Sequence, residues 1–68
     1  MPFTDTFIDR CLARAQHLRD QAREIRDLAE TMKDPIARQS VERVADDYDT
    51  MASREETRAK AAIRPLLH

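Results

Sequence analysis

Apolar residues recur every three or four positions along the first half of the chain. The eight positions of this seam are Ile8, Cys11, Ala15, Leu18, Ala22, Ile25, Ala29 and Met32. Spacings that alternate between three and four keep one helix face apolar, and this regularity over several heptads is typical of a long helix packed against another helix. The pattern predicts a first helix over about residues 5–33, with Thr4 as its N-cap.

One turn signal interrupts the helical pattern, at Asp34 and Pro35. Asp is favoured at a helix N-cap, and Pro suits the first helical position. Apolar residues then recur at helical spacing until Pro65, which cannot continue a helix without cost. The sequence predicts an all-α fold with one domain over residues 1–68, an antiparallel hairpin whose helices span about residues 5–33 and 35–63.

A register in which facing residue numbers add to 70 joins one larger residue to one Ala in six layers. The predicted layers are Ile8–Ala62, Cys11–Ala59, Leu18–Ala52, Ala22–Tyr48, Ile25–Ala45 and Ala29–Val41. Alternating large and small residues fills the space between helices without voids. The exception is Glu55, opposite Ala15. We expect its carboxylate to extend to solvent, and the alternatives are pairing with Arg14 or Arg58, or an opening for a partner.

The two flanks of this predicted seam differ in character. A charged flank consists of Arg19, Arg26, Glu42, Asp49 and Glu56, and the register sets Arg26 near Glu42 and Arg19 near Asp49. An apolar strip on the other flank consists of Phe7, Leu28, Ala37, Val44 and Met51. Because a lone hairpin would leave this strip in water, we expect it to be the oligomer or partner interface, and a homodimer to form a four-helix bundle.

Length and composition also favour self-association. A chain of 68 residues, ten of them Ala, buries little apolar surface by itself. Twelve basic and 13 acidic side chains nearly cancel, which argues against nucleic acid as a partner. No apolar run has the length of a membrane span, and a single Cys allows no internal disulfide. A reduced, cytoplasmic protein is the simplest interpretation.

Three features of the sequence are candidate sites of chemistry. His17, followed by Leu18, Arg19 and Asp20, is similar to the phospho-accepting helix of histidine kinases, although the acid expected directly after the His is missing. An acidic cluster consists of Glu42, Asp46, Asp47 and Asp49, but no second ligand set completes a metal site. Cys11 lies on the seam, where a thiol behaves as a small apolar group. We predict no catalytic, cofactor-binding or metal-binding residue.

Much of the chain carries a family resemblance. The run 23–52 contains Arg26-Asp27-Leu28-Ala29 before the turn and the Tyr-bearing segment Ala45-Asp46-Asp47-Tyr48-Asp49 after it. In these motifs the chain resembles short uncharacterised helical-hairpin proteins of alphaproteobacteria. The resemblance implies a bacterial cytoplasmic hairpin and carries no activity with it.

The sequence therefore favours a non-enzymatic function. We expect a small helical protein–protein interaction or scaffolding module that acts as a homo-oligomer. The alternative is a histidine-phosphotransfer-like helical bundle that uses His17.

Overall fold

The computed structural model describes residues 2–67, and the side chains of residues 6–66. Helix α1 spans Pro2–Glu30, helix α2 spans Pro35–Ile63, and a short 3-10 helix follows at Arg64–Leu67. The two long helices pack against each other, and no strand occurs in the described part of the chain. The predicted all-α two-helix fold is confirmed, whereas its dimerisation stays a prediction.

Helix α1 begins earlier than predicted. It starts at Pro2, so Thr4 lies within the helix and the prediction of Thr4 as N-cap is wrong. Pro suits a helix start because its missing N–H belongs to the first turn, where backbone N–H groups have no helical partner.

Helix α1 also ends three residues earlier than predicted, at Glu30. The backbone N–H of Thr31 donates to the Leu28 carbonyl at 3.0 Å, and that of Met32 donates to the Ala29 carbonyl at 3.0 Å. These bonds span three residues instead of four and tighten the last turn, which satisfies carbonyls that the helix would otherwise leave open.

The start of α2 confirms the predicted turn. Asp34 is the N-cap, in an extended conformation, and its Oδ1 accepts a hydrogen bond from the backbone N–H of Ile36 at 3.1 Å. Pro35 occupies the first helical position. Arg38 reaches back from α2 and donates from Nε to the Met32 carbonyl at 3.1 Å. The connection is therefore held at both of its ends.

The core between the helices consists of small side chains. The buried residues of the described chain are Cys11, Ala15, Ala22, Ala29, Ala45, Ala52 and Ala59. On each helix the buried alanines recur every seventh residue, which lets the two backbones approach closely. Larger seam residues such as Ile8, Leu18, Ile25, Val41 and Tyr48 are only half-buried. The residue-by-residue pairing in the register of 70 stays a prediction.

Candidate functional site

The apolar strip runs along one flank of the hairpin and is largely open to solvent. Leu28 is 58% exposed, Val44 47% and Met51 39%, while Phe7 and Ala37 are half-buried. The structure thus leaves large apolar groups outside while the helices bury alanines between them. Large apolar side chains exposed on one flank are typical of an interaction site.

Ion pairs cover the opposite flank. Arg19 binds Glu56 and lies 3.9 Å from Asp49, as measured from its Nη1 to the Asp49 Oδ1, which confirms the predicted Arg19–Asp49 proximity. Arg26 donates from Nη2 to Asp49 at 2.7 Å and to Asp46 at 2.9 Å. These hydrogen bonds, first from Asp49 and then from Asp46, raise the pKa of Arg26 above its ordinary value. The charged flank has its partners within the hairpin.

The predicted pairing of Arg26 with Glu42 is corrected by this geometry. Arg26 selects Asp46, one turn further along α2 than Glu42, together with Asp49. Carboxylates one turn apart share a helix face, so residue spacing alone does not distinguish between them.

A groove of about 390 Å³ lies on the charged flank near the turn. Its lining consists of Arg26, Ala29, Glu30, Arg38, Glu42 and Asp46. Both arginines are already engaged within the chain, Arg26 by carboxylates and Arg38 by the Met32 carbonyl. Neither arginine of this groove is therefore free to bind an anionic ligand.

Glu55 does not extend to solvent, and that expectation is wrong. Its side chain is only 12% exposed, and its Oε1 lies 3.1 Å from Nη1 of Arg58 and 3.8 Å from Nη1 of Arg14. The guanidinium of Arg58 also lies 5.4 Å from the ring centroid of Phe7, within cation–π range. The alternative of pairing with Arg14 and Arg58 is the one that the structure bears out.

Cys11 lies beneath this cluster, at a depression of about 180 Å³ that Phe7, Arg14, Glu55 and Arg58 also line. The thiol residue is only 4% exposed. Its pKa is raised above the ordinary value, first by desolvation and then by the nearby Glu55 carboxylate. A raised pKa disfavours the thiolate, which is the reactive form.

The remaining candidates for chemistry lie apart from one another. His17 is exposed on α1. Of the acidic cluster, Asp46 and Asp49 bind Arg26, and Glu42 and Asp47 are exposed. Over the described residues, the structure brings together no group of three or more His, Cys, Asp or Glu side chains that could hold a metal ion.

Large apolar side chains are also exposed outside the apolar strip. Ile36 at the start of α2 is 76% exposed, Leu12 on the charged flank 47%, and Leu66 in the 3-10 helix 51%. They are single residues at separate places, which is normal for a protein surface. All three residues lie off the predicted seam, and this position in the sequence predicts their exposure.

Comparison with family models, with curated proteins and with solved structures gives no match for this chain. Within the part of the chain that the structure describes, neither long helix has the length and apolar character needed to cross a membrane.

Proposed function

We propose that this protein is a non-enzymatic interaction or scaffolding module that acts as a homodimer, in which two hairpins associate through the apolar strip into a four-helix bundle. In this proposal the first partner of the chain is a second copy of itself. A bacterial, cytoplasmic setting is part of the proposal, because a single buried thiol suits a reducing compartment and the family resemblance implies a bacterial source.

The observation that carries the proposal is the contrast between what is buried and what is exposed. Every buried side chain in the described residues is Ala or Cys, and none of the larger side chains is fully buried. Small side chains contribute little hydrophobic free energy, so the hairpin has a thin core for its length.

Burial of the apolar strip can supply the hydrophobic free energy that this core lacks. Full burial of Leu28, Val44 and Met51 would contribute about 1.5 to 3 kcal/mol per side chain before the cost of association. In a two-fold dimer both copies bury their strip against the other copy, so the contribution is made twice. The charged flank does not compete as an interface, since its ion pairs are already formed within one chain.

Light scattering on a matched set of variants tests the proposal. Val44→Glu together with Met51→Glu places charges on the strip, and we expect a monomer or an unfolded chain where the unaltered protein is a dimer. The control is Leu12→Glu together with Ile36→Glu, which adds the same charge at exposed apolar positions outside the strip. We expect the control to remain a dimer.

Two outcomes would contradict the proposal. One is an unaltered protein that is a stable monomer at micromolar concentration. The other is a strip variant that is dimeric and as stable as the control. Circular dichroism on the same samples separates loss of association from loss of folding.

A further inference from the structure

Four exposed charged or titratable residues border the apolar strip without partners of their own. Glu24 on α1 and Asp47 and Arg54 on α2 each lie one helical turn from a strip position, and His17 lies one turn from Gln21, between Phe7 and Leu28 of the strip. Within the described residues, none of the four makes an ion pair or a side-chain hydrogen bond. This contrasts with the charged flank, where arginines and carboxylates are paired across the hairpin.

The cross-helix ion pairs show which positions lie level on the two helices. The five cross-helix ion pairs join residues whose numbers add to between 68 and 75, with a mean of about 72, so residues with that sum lie at about the same height. Gln21 is then level with Met51. Towards the chain ends the next level holds His17 and Arg54, and towards the turn it holds Glu24 and Asp47. The border of the strip is therefore basic on one side of Gln21 and Met51 and acidic on the other.

This polarity distinguishes the two ways in which a second copy can cover the strip. If both turns lie at the same end of the bundle, α1 faces the partner's α2 at equal height. His17 then meets Arg54 of the second copy, and Glu24 meets Asp47. Arg14 also meets Arg58 of the second copy. The Glu24–Asp47 and Arg14–Arg58 contacts set like charges at facing positions, which opposes association.

If the turns lie at opposite ends of the bundle, α1 packs antiparallel to α1 of the second copy, and α2 packs antiparallel to α2 of the second copy. His17 then meets Glu24 of the second copy, and Asp47 meets Arg54. These contacts require a two-fold axis that crosses the strip at the level of Gln21 and Met51. The two-fold symmetry makes each contact occur twice. Asp47 and Arg54 then form an oppositely charged pair, and the His17 imidazole can donate a hydrogen bond to Glu24.

The same arrangement gives Leu28 and Val44 a cover. Leu28 and Val44 lie seven residues from the axis on the side of the turn, and Arg14 and Arg58 lie seven residues from it on the other side. The antiparallel arrangement therefore sets Leu28 opposite Arg14 of the second copy and Val44 opposite Arg58 of the second copy. The side chains of Arg14 and Arg58 are 67% and 54% exposed, so their stems are free to lie over apolar groups. Arginine stems cover apolar surface while their guanidinium groups stay polar, and here those groups keep their ion pairs with Glu55.

We infer that the partner on the apolar strip is a second copy in the antiparallel orientation, with the two turns at opposite ends and the two-fold axis at Gln21 and Met51. The inference rests on the proposed homodimer and adds its orientation and its charge contacts.

Electron paramagnetic resonance distances between spin labels test the orientation. The label is placed at Lys33→Cys in the connection, in a Cys11→Ala background, so that no strip residue is altered. Lys33 lies about 12 residues from the axis, so the antiparallel dimer separates the two labels by about 36 Å along the bundle at 1.5 Å per residue. Turns at the same end would bring the labels within about 20 Å, because neighbouring helices lie 8–10 Å apart.

A label at Thr50→Cys is the control. Thr50 is exposed and close to the level of the axis, so either orientation gives a distance set by the bundle width alone. A measurable distance between the two labels at position 50, together with a long distance between the two labels at position 33, supports the antiparallel dimer. A Thr50 distance with a short Lys33 distance overturns the orientation and leaves the homodimer intact. A monomer by light scattering, with no distance from either label, overturns the homodimer as well.

Charge exchange gives a second test that needs no label. Asp47→Arg should weaken the antiparallel dimer, raising its dissociation constant about fivefold, because two ion pairs become repulsive. Adding Arg54→Asp to the same chain should restore the original value. With turns at the same end, Asp47→Arg would instead meet Glu24 and tighten the dimer, a result that overturns the inference.

Discussion

At the scale of single residues, Glu55 is the charged exception on a seam that is otherwise apolar or aromatic. Its carboxylate is largely covered and lies between Arg14 and Arg58, while Arg58 lies over Phe7. Both arginines keep more than half of their side-chain surface in water, so solvent weakens each pair. The cluster therefore contributes modestly to stability and fixes the side chains at the open end of the hairpin.

Neutralising Glu55 should destabilise the fold slightly. We expect Glu55→Gln to lower the free energy of unfolding by about 1 kcal/mol, since it removes the charge from two partly exposed ion pairs. Urea denaturation measures the difference. The matched control is Glu30→Gln, an exposed carboxylate with no ion pair in the described chain, which should cause no loss. Equal effects from the two substitutions would mean that the Glu55 cluster does not stabilise the fold.

Side-chain partners were harder to predict than residue positions. The spacing placed Arg19 beside Asp49 correctly, yet it assigned Arg26 to Glu42, whereas the structure pairs Arg26 with Asp46 and Asp49. Several carboxylates lie within reach of one long guanidinium, and the direction of each side chain decides among them. Sequence spacing contains no information on that direction.

At the scale of the helices, most of the architecture followed from the sequence. Seam spacing and the Asp34-Pro35 turn were sufficient for two helices and their connection. The missed boundaries, at Pro2 and Glu30, depend on how terminal backbone groups find partners. The predicted layers treated large residues and alanines as equal members of the core, but among residues 6–66 only Ala and Cys are buried. Two helices alone cannot surround a large side chain, which is why those residues remain half-buried.

The close contact of the helices should be sensitive to size at the buried alanines. Ala22 has no exposed surface, so Ala22→Leu should push the helices apart and cost about 1 to 3 kcal/mol. Ala13→Leu on the exposed side of the same helix should leave stability nearly unchanged. Thermal unfolding followed by circular dichroism compares the two variants, and equal shifts of the melting temperature would contradict an interface built on alanine.

At the scale of the whole molecule, the chain is a rod one helix pair thick. Its Cα atoms extend over 52 × 15 × 12 Å, and residues 2–67 provide no third layer that covers either face of the hairpin. One flank satisfies its charges internally, whereas the other presents Leu28, Val44 and Met51 to water. In our proposal, the stability of this chain therefore depends on a second copy that covers the exposed flank.

The most direct measurement of that dependence is the melting temperature as a function of protein concentration. If folding and dimerisation are coupled, a hundredfold dilution lowers the free energy of unfolding by about 2.7 kcal/mol per dimer. We expect the melting temperature to fall by about 5 to 10 °C between roughly 100 and 1 μM. A melting temperature that is identical across this range would show that the hairpin is stable alone, and would contradict the account.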